Sequence, residues 1–145
     1  MTTAHIIEGS AGETYELGIV TLRLLASTET TNGAFALGEF TGKEGPWTVP
    51  HVHRNGEESF YVLDGRFTFT LGDDDVDASM GSFIVVPRGT RHLMRAAAGG
   101  GRLLTFWTPG GPEALFMELS RLPPGSLRDP EIRRMLSERI DSIPV

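Results

Sequence analysis

Between about Tyr15 and Phe106, short segments rich in Val, Ile, Leu, Phe, Tyr and Thr are separated by Gly, Asn, Asp and Pro. Apolar runs of this length, bounded by turn residues, are the pattern of β-strands. The predicted strands are Ile19 to Leu25, Ala34 to Phe40, Thr48 to His53, Glu58 to Leu63, Phe67 to Leu71, Phe83 to Val86, Arg91 to Arg95 and Leu103 to Trp107. Asn32-Gly33, Asn55-Gly56 and Asp64-Gly65 are dipeptides that accept positive φ, so each predicts a tight hairpin turn. Gly72 to Asp75 reads as an acidic, solvated hairpin tip, and Ala96 to Gly101 as a short loop. Many short strands at this spacing predict an antiparallel sandwich or barrel.

The last third changes period. Pro112 stands at a first helical position, with Leu115, Leu119 and Leu122 on one stripe. Pro123, Pro124 and Gly125 break the chain. Asp129, Pro130 and Glu131 are an N-cap, a first-turn proline and a first-turn acid, followed by a stripe of Ile132, Leu136, Ile140 and Ile143. The whole chain, 1–145, reads as a single domain, with a β core at about 15–108 and a helical segment at about 110–143 packed against it. At 145 residues it buries about two thirds of its unfolded surface, enough for one core.

Charge and cysteine content narrow the chemistry. With 13 basic and 19 acidic residues the net charge is −6, and there is no run of Lys or Arg. Arg133-Arg134 reads as a solvated helix face. Nucleic acid and anionic membranes are therefore unexpected partners. The absence of cysteine excludes disulfides, thiolate metal sites and cysteine nucleophiles. The N-terminus lacks a signal-peptide pattern, and the longest apolar run, Phe83 to Val86, is too short to span a bilayer, so a cytoplasmic protein is expected.

Against that background, three of the four histidines stand out. His51 and His53 are two apart on a predicted strand, so their imidazoles share a face. The chain turns at Asn55-Gly56, and an acid on the returning strand, Glu57 or Glu58, can face the same space. His92 follows Pro87-Arg-Gly89, a bend that re-aims the next strand. Singly, each reads as an ordinary surface or core residue, and Glu57-Glu58 as a solvated pair. Together they are a nitrogen-and-oxygen ligand set for one divalent first-row metal: Fe, Mn, Ni, Co or Zn.

The stretch from Gly45 through His51, His53 and Glu58 to Gly65 resembles the first conserved motif of the cupins, and Gly81 through Pro87, Gly89 and His92 resembles the second. Only Glu58 leaves six residues before Gly65, so the resemblance selects it over Glu57. It implies His51, His53, Glu58 and His92 as metal ligands and an all-β, cupin-type jelly-roll sandwich closed by C-terminal helices. Ala96 stands where the second motif usually has Asn, a residue that is not a ligand. Trp47, Phe60, Phe83, Met94, Phe106 and Phe116 are candidates for the cavity wall. The segment around His51 to Gly65 and the tail look like small quercetin 2,3-dioxygenase-like cupins. That likeness implies a metal-dependent dioxygenase acting on an aromatic or enol-type small molecule, with Glu58 also accepting the substrate proton. The alternatives are a zinc-dependent polyketide cyclase or isomerase of the same family, and a binding cupin without a reaction. Family members are commonly dimers, and an N-terminal strand at Thr2 to Ile7 is expected to pair with a partner's sheet in a homodimer. His5, in that arm, is left outside the site.

Overall fold

The computed structural model describes residues 4–145. Along the chain lie β1 (Thr14–Glu16), β2 (Val20–Ala26), β3 (Ala36–Gly42), β4 (Gly45–Pro46), β5 (His51–Val52), β6 (Glu57–Leu71), β7 (Asp74–Ser79), β8 (Phe83–Val86) and β9 (His92–Thr108). They are followed by α1 (Glu113–Leu119), a 3-10 turn at Ser126–Arg128, α2 (Pro130–Ser137) and β10 (Ile143–Pro144). Every pairing is antiparallel.

The two longest strands organise the rest. β9 pairs along one edge with β6 and along the other with β3, β4 and β5 in turn. β6 carries β7 and β8 on its far edge, and β3 continues outward to β2 and β1. In β6 the buried positions are Glu58, Phe60 and Val62, then Phe67 and Phe69; in β9 they are His92, Met94 and Ala96, then Leu103, Thr105 and Trp107. The inward parity flips midway along both strands, because the register shifts around Asp64 to Phe67. A one-residue slip exchanges the faces of a strand, and a bulge is the device that absorbs it while bending the sheet. Gly65 makes the bend possible. Its φ is +81°, and a Cβ there would strike the Gly100 carbonyl. Asp64-Gly65 is therefore a kink inside one long strand and not a hairpin, and the glycine run ending at Gly101 is its counterpart rather than a loop.

Other expectations are corrected at the edges. Of Thr48 to His53 only His51–Val52 is strand. β1 was not anticipated, and the acidic tip is confined to Gly72 and Asp73, since Asp74 already begins β7. The acids of β7 are exposed, and two are bonded across the pair: Thr70 Oγ1 donates to Asp75 Oδ1 at 2.6 Å and Thr68 Oγ1 to Asp77 Oδ1 at 2.9 Å. Ile143 lies in β10, not on the α2 stripe. Of the expected N-terminal arm, Thr2 and Thr3 lie outside the described residues, and residues 4–7 form no strand. His5 Nε2 sits 2.8 Å from the Leu25 carbonyl, away from the other histidines.

The core lies between the sheet faces and under the helices. Phe116 of α1 packs edge-on against Phe40, with centroids 5.0 Å apart, and also against Trp107. Full burial of such a side chain is worth about 1.5–3 kcal/mol. Glu113, unremarked in the sequence, is buried and accepts hydrogen bonds from the Thr28 backbone N–H, the Thr28 hydroxyl and the Gly111 N–H, tying the start of α1 to the loop before β3. Arg134 is exposed beside Glu138, but Arg133 is buried, so the pair is not one solvated face. Among the described residues no helix is long and apolar enough to cross a membrane.

Asp129 caps α2 as expected, accepting from the Glu131 and Ile132 N–H groups at 2.9 and 3.2 Å. Asp129→Ala is expected to remove about 1 kcal/mol, a fall of roughly 2–4 °C in thermal midpoint by calorimetry. A midpoint equal to wild type would show that this cap contributes nothing.

Candidate metal centre

β5 and β9 meet at one residue pair, His51 opposite His92. That pairing brings the two rings to 4.2 Å. Val52 points to the other face, and His53, just past the strand, returns to the same side. Glu58 enters from β6, where Trp107 of β9 and Val86 of β8 flank it in register. All four residues are buried, none above 6% exposure, so water contributes almost nothing to their solvation. Their nearest donor atoms lie within 4.8 Å of one another.

The orientation of the rings decides what the cluster can do. His51 Nδ1 lies 2.7 Å from the Val49 carbonyl and His92 Nδ1 2.9 Å from that of Thr90, while His53 Nδ1 reaches the Asp141 carbonyl. A carbonyl only accepts, so each Nδ1 carries a hydrogen and each Nε2 is left to face the centre. The Nε2 atoms of His53, His92 and His51 then stand 2.7, 2.8 and 3.7 Å from a single oxygen, Glu58 Oε2. Lone pairs and a carboxylate converging on one point in a dry interior require a cation or protons between them. An ion with ligand bonds of about 2.0–2.2 Å spans donors up to roughly 4.4 Å apart, close to what is found. The donor set fits a divalent metal, and the Nδ1–carbonyl bonds are the outer contacts that orient metal-binding imidazoles.

Burial pushes the His51 pKa down to about 4, so its Nε2 is free of a proton at neutral pH. His53 goes the other way: burial opposes its charging, but the Glu58 carboxylate beside it raises its pKa overall. Burial alone would raise the Glu58 carboxyl, yet the charge on His53 and the hydrogen bond from it hold the group well below the usual carboxylate range.

Residues 38–108, a span that includes all four of these side chains, match the family described as Cupin domain. The chain carries a cupin domain. Over 115 residues it is 27% identical to quercetin 2,3-dioxygenase of Bacillus subtilis (strain 168), an alignment covering 79% of this chain and 34% of that relative. The chain thus spans about a third of the relative's length. Among solved structures it is similar to KdgF from Halomonas sp., with a TM-score of 0.67 at 18% identity, covering 78% of this chain and 99% of the other. Oxalate decarboxylase of Bacillus subtilis, a protein with Mn(II) centres, superimposes with a TM-score of 0.61 at 18% identity over 71% of this chain and 31% of its own. These likenesses establish a cupin β-sandwich with C-terminal helices.

Glu57, the other acid of the pair, stands outside the cluster in the cupin domain and is bound by Arg88 at 3.0 Å. Ala96 is buried within β9 opposite Phe67, where the long strand runs on without the turn that an Asn would cap. Of the expected cavity wall, Trp47, Phe60, Met94 and Phe116 are buried. Phe83 is 59% exposed because Ile84 and Val86 take the inward positions of β8. Phe106 also faces outward, against Phe35, since Thr105 and Trp107 hold the inward parity of that stretch. Trp107 was not anticipated. Its Nε1 and Thr105 Oγ1 are buried without partners in the protein, polar atoms that a water or ligand would satisfy. Asp141 was missed as well; it lies 88 residues from His53, where no local pattern announces it.

His53→Ala or His92→Ala should strip a divalent ion from the purified protein, while Glu57→Ala keeps it; elemental analysis decides, and loss on Glu57→Ala alone would move the acidic ligand. Affinity should also weaken as pH falls, because protons return first to His53, whose pKa is raised, and only near about 4 to His51. Calorimetric titration in buffers of different ionisation enthalpy reads the protons displaced, and an affinity indifferent to pH between 5 and 8 contradicts the assignment.

Proposed function

We propose that the protein is a metal-dependent dioxygenase of quercetinase type, acting on an aromatic or enol-type small molecule. The observation that carries this reading is the buried His51, His53, Glu58 and His92 cluster inside a domain similar in sequence to a quercetin 2,3-dioxygenase. A divalent ion bound there would supply Lewis acidity toward a substrate hydroxyl and, if redox-active, a route for electrons to oxygen. The chain's own residues do the rest. The three imidazoles keep their Nδ1 hydrogens on carbonyls and leave Nε2 for the ion. Glu58 Oε2, ionised at neutral pH, is the atom placed to take the hydroxyl proton; geometry comes before pKa in choosing a base, and a hydroxyl acidified by a neighbouring cation narrows the gap to a weak one. Phe60, Phe69, Met94 and Trp107, buried in the core beside the cluster on β6 and β9, keep water away from it.

Oxygen uptake by the metal-loaded protein with flavonols, catechols and 1,3-diketones tests the proposal. Uptake is expected with at least one class, and Glu58→Gln is expected to lower it at least 100-fold, within the usual range for loss of a general base. Tight zinc with no oxygen consumed would favour the cyclase or isomerase reading instead.

A further inference from the structure

The three imidazoles are not held alike. His51 and His92 place Nδ1 against carbonyls two residues back, Val49 and Thr90, so each fixes its own ring locally. His53 has no such neighbour. It stands past the end of β5, and its Nδ1 partner is the carbonyl of Asp141, close to the C-terminus. The same residue binds the chain that follows the ligand: Asp141 Oδ1 accepts from the Arg54 N–H and Oδ2 from the Asn55 N–H, both at 2.8 Å. Beyond it, β10 pairs Ile143 with Val52 and Pro144 with His51, and the Val145 N–H donates to the Pro50 carbonyl at 3.1 Å. Ser142 is buried, and Ile140 belongs to the core, so the segment is docked and not draped.

We infer that residues 141–145 are a strap that sets the metal-binding geometry of the β5 segment, with Asp141 the positioning residue for His53. This rests on the metal-centre reading but not on the dioxygenase reading. A carboxylate bridging two successive N–H groups fixes the backbone after His53. It thereby holds its own carbonyl where the imidazole must donate. Outer contacts of this kind, when lost, typically weaken a metal site 10–100-fold. Coupling of this sort is reciprocal, so an ion in the centre should also hold the strap down.

The test uses the full chain titrated with Co(II) and Mn(II). Asp141→Ala is expected to weaken Co(II) binding roughly 10–100-fold and to shift the visible ligand-field bands of the Co(II) form. Asp141→Asn, which keeps one acceptor oxygen, should fall between it and wild type. Asp129→Ala supplies a control, since it removes a cap remote from the cluster and should lower the thermal midpoint while leaving affinity and spectrum unchanged. A wild-type affinity and spectrum in Asp141→Ala would overturn the strap, as would an equal loss in Asp129→Ala. Should Asp141→Ala fail to fold, hydrogen exchange on the wild-type protein decides: Co(II) should slow exchange at the Arg54, Asn55 and Val145 amides, and no change there overturns the inference. Wild-type protein that binds neither ion removes the metal centre and the strap together. Binding that responds to Asp141→Ala without any oxygen uptake leaves the strap standing and removes only the dioxygenase reading.

Discussion

Four polar side chains almost wholly removed from water converge on one point, and that convergence constrains the surrounding structure. A buried carboxylate is stabilised by an opposite charge or by donors, and here the groups that face it are three Nε2 atoms. Because every Nδ1 is already committed to a carbonyl, the rings cannot turn over to relieve the contact. The cluster is thus organised for a positive charge at its centre. Nitrogen and oxygen donors without sulfur leave several first-row divalent ions open. Buried surroundings then favour strong binding, since water competes weakly for the ligands.

The long strands exist to make that meeting possible. His92 begins β9 and Trp107 lies near its end, yet both point inward although their numbers differ in parity. Without the kink opposite Gly65, one half of β9 would turn its buried residues to solvent. Glu58 and Phe69 stand in the same relation on β6. Glycine at the crossing is required by contact as well as by φ: side chains at Gly65 and Gly100 would run into the carbonyls of Gly100 and Gly42. The bend that closes the sandwich and the bend that turns the cluster's side chains inward are therefore one feature.

This explains what could be read in the chain and what could not. The strand segments around the buried cluster, the cap at Asp129 and the choice of Glu58 over Glu57 as the inward acid follow from spacing and motif, all of them local. Asp64-Gly65 misled because a dipeptide suited to a hairpin turn suits a bulge equally well, and only the pairing partner distinguishes them. Phe83 and Phe106 misled because hydrophobicity does not reveal which face of a strand a residue takes, and along β9 a register shift also intervenes. Arg133 is beyond any charge-pattern rule: a guanidinium buried with only 3.4 Å contacts to Ser142 violates the expectation that charge seeks solvent.

The C-terminal segment extends the same logic to a part of the chain with no motif. A helical stripe running to Ile143 was a reasonable expectation from period alone, yet α2 ends at Ser137 and Ile143 lies in a two-residue strand instead. What overrides the period is the unsatisfied edge of β5. A two-residue strand carrying a buried imidazole needs backbone partners on both sides, and β9 supplies only one. β10 fills the other side, and Asp141 satisfies the amides where the strand ends. The docked tail thus completes hydrogen bonding that the β-sandwich leaves open at its most polar interior point.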